Sequence, residues 1–286
     1  MSMQKVSDKM LADTGTMPAW DGSALTGITT AITGVIGGLT LSNNGTDGAH
    51  DIDIATGYAR DYGDAFTMQL ATALTKQIDA TWAVGTNAGG LDTGVVAAST
   101  GYGVYLIRRS DTGVVDALFS TDMSAAGSSV TMPTNYDQKR LIGWVRTDAS
   151  SNILAFTQSG DYFRLTGSPP IDVTDNSITT QTAETATLTA PPLTLIHATF
   201  VLTNSTDTGT AGRLHIYTKG SGETDTNDTD SFSIIQTSGT FDNMAANGFV
   251  LANSSSQIEY SALVTGGTAT INIAMLGCTM LTRSNP

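Results

Sequence analysis

Cysteine is almost missing from this chain of 286 residues: Cys278 is the only one. No disulfide can form within the chain, and no cysteine cluster can hold a metal. Cys278 sits in the apolar run I-N-I-A-M-L-G-C-T-M-L, the setting of a small buried hydrophobe rather than a reactive thiol. Basic residues are scarce too, with 13 Lys and Arg against 26 Asp and Glu, a net charge of −13. Phosphate backbones need clustered cations, so nucleic acid is not an expected partner. The two dense basic pairs, Arg108-Arg109 and Lys139-Arg140, flank strand-like runs and are expected as solvated edge charges. No apolar run is long enough to span a bilayer, so no membrane insertion is expected. The opening residues, M-S-M-Q-K-V-S-D-K-M, lack the apolar core of a signal peptide. Synthesis in the cytoplasm without secretory export is expected.

Glutamate is nearly missing as well, with only Glu184, Glu223 and Glu259. Asp favours turns and caps, whereas Glu favours helix interiors. The plentiful Thr suits strands through its β-branching, and the 30 glycines suit turns. The chain therefore reads as all-β. Its clearest element is residues 103–120, G-V-Y-L-I-R-R-S-D-T-G-V-V-D-A-L-F-S. Two β-branched and aromatic runs flank a short loop with Asp111 and Gly113, which predicts a hairpin. Residues 140–145 and 153–156 are expected as two more strands of a meander. Before it, residues 50–54 and 66–70 alternate with period two, so Ile52 and Ile54 face a core while Asp51 and Asp53 face water. About eight strands fall before Pro169-Pro170, which cannot continue a central strand. After it, strand-like runs begin at Leu195, Arg213, Phe232, Gly248, Ser256 and Thr270, each bounded by Gly, Asn, Ser or Asp. The expected architecture is two antiparallel β-sandwich, jelly-roll-like domains with an N-terminal extended or helical arm. The arm is 1–38, the first sandwich 39–168 and the second 169–286.

The arm holds the phrase P-A-W-D-G-S-A-L-T-G-I. Trp20, Leu25 and Ile28 are large apolar groups in a piece too short to bury them, so they are expected to dock onto other subunits or a neighbouring protein. The same phrase resembles one found near the N-termini and in the shafts of bacteriophage fibre proteins. A longer resemblance spans residues 39–166. It is carried by G-L-D-T-G at 90–94, by Y-L-I-R-R-S-D-T-G-V-V-D-A-L-F-S-T-D, by M-P-T-N-Y-D-Q-K-R-L-I-G-W-V and by F-T-Q-S-G-D at 156–161. These look like a module of tail-fibre and related structural proteins of tailed bacteriophages and prophages. The resemblance implies a virion part, without carrying any functional residue onto this chain.

Sites of chemistry are few. None of His50, His197 and His215 has the spacing of a metal helix. His197 and His215 lie on strand-like runs that a fold could bring together, but solvated or hydrogen-bonded strand histidines are the expectation. The acidic loop D-T-N-D-T-D at 225–230 has oxygens at alternate positions, as calcium needs, yet lacks the Gly and Glu of an EF-hand, so a solvated turn is favoured. Glycan hydrolysis would need two carboxylates at fixed separation, and sequence alone does not pair Asp161, Glu184, Asp230 or Glu259 in space. No nucleophile elbow, P-loop or dinucleotide fingerprint is present. No catalytic residue, cofactor or metal is expected.

The expectation is a non-enzymatic bacteriophage virion structural protein, a tail fibre, spike or tail-tip component, with a homotrimeric state that the fibre resemblance suggests. Alternatives are a head fibre or capsid decoration protein, and a glycan-degrading tailspike. The arm would bind other virion proteins. The second sandwich would meet a host surface glycan or protein through its loops 204–212, 220–231 and 253–257, with Asp225, Asn227, Asp228 and Asp230 as contact candidates.

Overall fold

The computed structural model describes residues 34–178, 182–204, 211–222, 232–236, 243–265 and 268–281. The chain divides into two compact units, Met1–Ile32 and Thr33–Pro286, and the first lies outside the described residues. Every element among the described residues is a strand, as the composition predicts. The first ten are β1 (Ile36–Gly38), β2 (Leu41–Asn43), β3 (Asp51–Ile54), β4 (Gly57–Arg60), β5 (Thr67–Leu70), β6 (Leu74–Thr81), β7 (Ala88–Leu91), β8 (Gly101–Arg108), β9 (Val115–Ser120) and β10 (Gln138–Arg146). The second ten are β11 (Phe156–Ser159), β12 (Tyr162–Leu165), β13 (Ile171–Ile178), β14 (Glu184–Thr187), β15 (Leu195–Asn204), β16 (Ala211–Thr218), β17 (Phe232–Gln236), β18 (Asn243–Leu251), β19 (Gln257–Thr265) and β20 (Ala269–Thr279).

The predicted hairpin is β8–β9, paired antiparallel from Gly103 opposite Ser120 to Arg108 opposite Val115. Gly113 closes it at φ 77°, where a Cβ would be strained, and its N–H donates to Arg109 O at 2.9 Å. The meander does not continue as expected. β10 turns back and pairs with β8, because the far side of β9 is taken by β7. The resulting order is β10-β8-β9-β7-β6-β3-β2. Nor is the ladder antiparallel throughout, since β7 runs parallel to both β6 and β9. Gly89 permits this tight insertion: a Cβ there would sit 2.1 Å from Thr81 O. Residues 153–156 also divide differently. Ile153 makes a single bridge to Thr147, and Phe156 opens β11 in another sheet.

Period-two burial sets the faces. In β3, Ile52 and Ile54 are fully buried while Asp51 and Asp53 are partly exposed. β8 is different, being buried along nearly its whole length, as a strand covered on both faces must be. The three-stranded sheet β1-β4-β5 stands beside this seven-stranded one.

All six strands expected after residue 190 are present, as β15 to β20. They sort into two sheets, β11-β12-β20-β15-β18 with β13 added beside β20, and β14-β19-β16-β17. Phe200 and Ile273 point from the first, and Leu214 and Ile258 from the second, into one contiguous core. Pro169 and Pro170 stand between β12 and β13, and both strands pair with β20. Backbone pairing therefore crosses the expected division at 168. Pro tolerates this place because Pro170 need only accept, from the Met275 N–H at 2.9 Å.

Charge is buried in the first half. The side chains of Lys76 and Asp116 are 0 % and 1 % exposed, and the pair is 3.3 Å apart. The Lys76 ammonium also donates to Ala83 O at 2.6 Å and Gly85 O at 3.2 Å. Asp116 accepts from the Gly85 and Ala117 N–H groups, both at 2.7 Å. Burial lowers the pKa of Lys76, and Asp116 opposes that shift. Arg140, expected as a solvated edge charge, is instead 1 % exposed and donates to Gly34 O at 3.1 Å. It lies inward because alternation along β10 places it on the covered face.

Candidate functional site

The expected docking residues Trp20, Leu25 and Ile28 lie outside the described residues, as do the expected contact residues Asp225, Asn227, Asp228 and Asp230. Of the three loops expected to face outward, 253–257 is the one described in full. It lines a cleft of about 520 Å³ whose other wall comes from the first half of the chain, residues 121–129 between β9 and β10. Sequence reasoning missed that second wall. Its signal was D-M-S followed by A-A-G-S-S, an Asx turn and a run of small residues after a strand.

Both walls are held from within. On one, Asn253 Oδ1 accepts from the Ser255 N–H at 2.8 Å and the Gln257 N–H at 2.9 Å. Ser256 turns the chain at φ 57°, and its Oγ donates to Ala190 O at 2.8 Å. On the other, Asp122 accepts from the Ser124 N–H at 2.8 Å and the Ser129 N–H at 2.7 Å. Burial pushes the Asp122 carboxyl up, but these hydrogen bonds outweigh it and hold the group below the ordinary carboxylate range. The Tyr105 hydroxyl reaches up from β8 and donates to Ser124 O at 2.5 Å. Burial raises the pKa of this phenol. The cleft thus has rigid turns for walls and the exposed residues Thr121, Ser128, Ser129, Ser254 and Ser255 around it. Its carboxylate is engaged by its own loop. Such a lining offers neutral donors and acceptors at fixed places.

The histidines do not meet. His197 is on β15 and His215 on β16, strands of different sheets. His197 Nδ1 is 2.8 Å from the Tyr162 hydroxyl, and its ring stacks on Phe249 at 4.5 Å and 16°. Burial lowers its pKa, with Arg164 adding to the effect. His50 pairs with Asp47 at 3.1 Å, and that hydrogen bond raises its pKa. Among the described residues no group of three His, Cys, Asp or Glu is placed to hold a metal. Glu184 and Glu259 fall on the neighbouring strands β14 and β19, but Glu184 stands opposite Tyr260 and so on the other face from Glu259. Lys219 binds Glu259 at 2.9 Å. Cys278 is fully buried, and burial pushes its thiol up, in line with the inert role read from the sequence. No helix among the described residues is long and apolar enough to cross a membrane.

No protein-family model matches this chain, and no curated protein does. Among solved structures, a Bacillus thuringiensis Cry1Da tryptic core variant is 9 % identical with a TM-score of 0.24, over 85 % of this chain and 50 % of that one. The chain thus spans half the length of that protein. A structure of infectious bursal disease virus, Gx strain, is 14 % identical with a TM-score of 0.15, over 84 % and 78 %. Neither likeness is close enough to carry a function.

Proposed function

We propose that the chain is a structural, non-catalytic component of a tailed-bacteriophage virion, a tail fibre, spike or tail-tip protein acting as a homotrimer. Its N-terminal arm docks it to neighbouring virion proteins, and the serine-lined cleft meets a glycan or protein on the host surface. The resemblance of residues 39–166 to fibre modules supports the virion part. The observation that carries the attachment part is the cleft itself, with exposed seryl and threonyl residues on turns fixed by Asn253 and Asp122. Neutral, preorganised hydrogen-bonding groups suit weak contacts that many copies multiply. The arm's Trp20, Leu25 and Ile28 support docking, since 38 residues do not bury them alone.

The test fills the cleft. Virions carrying Ser255→Trp should incorporate the protein normally and adsorb to host cells roughly tenfold less, the equivalent of about 1.4 kcal/mol. Normal adsorption by fully assembled variant virions would remove the cleft from the attachment surface.

A further inference from the structure

The face of the β12-β20-β15-β18 ladder turned away from the core is unlike the rest of the surface. Its positions alternate with buried ones, and register aligns them in rows. Arg164, His197 and Phe249 share one row, and Leu195 and Leu251 share the next. The remaining outward positions on these strands are Thr, Asn, Ala, Gly and Val, plus Tyr162. Arg164 is thus the one charged side chain on the face, and no carboxylate stands there, in a chain with 26 acidic residues.

The strand at the end of this sheet shares that character. β18 ends the strand order and carries no charge and no Pro over Asn243–Leu251. Natural edge strands are usually blunted by Lys, Pro or bulges, because bare ladder groups recruit another strand. Here the edge presents Phe249 at 55 % exposure and Leu251 at 37 %. Phe249 is held in place by the His197 ring, which the Tyr162 hydroxyl fixes in turn. An exposed, preorganised aromatic beside an aliphatic is the kind of anchor that dominates protein interfaces.

We infer that this face, centred on Phe249 and Leu251, is where a second copy of the chain seats. Charge admits that occupant. Each copy carries −13, so two copies repel wherever carboxylates face each other. A face free of carboxylates lets like copies approach without that repulsion. The inference rests on the reading that the chain is a homo-oligomer, and it names the surface that joins the copies.

Light scattering on the purified full chain at micromolar concentration tests it. The wild type should run as a multiple of 29.6 kDa. Phe249→Glu, which plants a carboxylate on the face, should run as a single chain. Val95→Glu, at a side chain 86 % exposed elsewhere, should keep the wild-type mass. If Phe249→Glu does not give soluble folded protein, Leu251→Glu is read in the same way. An oligomeric wild type whose face variants keep the same mass would overturn this surface and leave the homo-oligomer standing. A wild type that is itself a monomer would overturn both. A monomeric wild type whose Phe249→Glu virions fail to adsorb would give the face to a host ligand instead.

Discussion

The two halves of the described structure solve the same packing problem with different means. The half before residue 168 buries charge: Lys76, Asp116, Arg140 and Arg146 are all at most 4 % exposed. The half after it buries Thr194, His215 and Ser261 among its polar side chains, and its strands β15, β18 and β20 turn a face without carboxylates outward. Among the described residues the one ion pair that joins them is Arg146–Asp172, 2.7 Å apart, with both side chains at 4 % exposure or less. A buried ion pair is costly to desolvate and contributes little net stability over an apolar pair. Lys76 and Asp116 both reach into residues 83–85, which lack a regular strand, and fix them where no ladder would. The second half has long, regular strands, β15 to β20, whose ladders define the conformation by themselves. The difference separates a half held by specific polar clamps from a half held by long, regular ladders.

Breaking one clamp should give the largest effect. Lys76→Met leaves Asp116 buried without its cation and should destabilise the protein by about 3–5 kcal/mol in denaturant unfolding. Lys76→Met with Asp116→Leu removes both charges and should recover most of that loss. A double variant as unstable as the single one would show that the residues 83–85, not the charge, depend on the pair.

Acid should sharpen the contrast next. Asp122 has its folded pKa below the unfolded value, so its ionised form contributes stability above about pH 4 that is lost as pH falls through the folded pKa. The wall at 121–129 should therefore lose hydrogen-exchange protection below pH 4 in the wild type. Asp122→Asn should lack protection there even at pH 7 and show little change on acidification. Equal protection in the two proteins at pH 7 would refute the role given to this carboxylate.

Asn253→Ala removes two side-chain hydrogen bonds from the opposite wall and should cost about 1–2 kcal/mol. The smallest effect on stability belongs to Ser254→Ala with Ser255→Ala. These exposed residues should change stability by no more than about 0.5 kcal/mol, while adsorption falls. A large loss of stability would make them structural rather than surface groups.

Much of this fold was legible in the sequence, and the reasons are local. The β8–β9 hairpin follows from Asp111 and Gly113 between two β-branched runs, and β3 from the alternation of Asp and Ile. The strands after residue 190 follow from their turn residues. What was not legible depended on distant partners. Nothing local to A-G-G-L predicts that β7 inserts parallel between β6 and β9. Arg140 looks like a surface cation until its strand gains a covered face. The cleft was half visible, since 253–257 reads as a polar loop but its partner wall lies more than a hundred residues away. Pairing of β12 with β20 is equally remote and was masked by the punctuation of Pro169-Pro170.

The central proposal is that this chain is a tail component of a virion whose half after residue 168 points outward. Gold labelling of intact particles, with an antibody raised against residues 169–286, tests it most directly in electron micrographs. The account predicts label at the distal end of the tail. Label confined to the capsid, or particles that carry none, would contradict it.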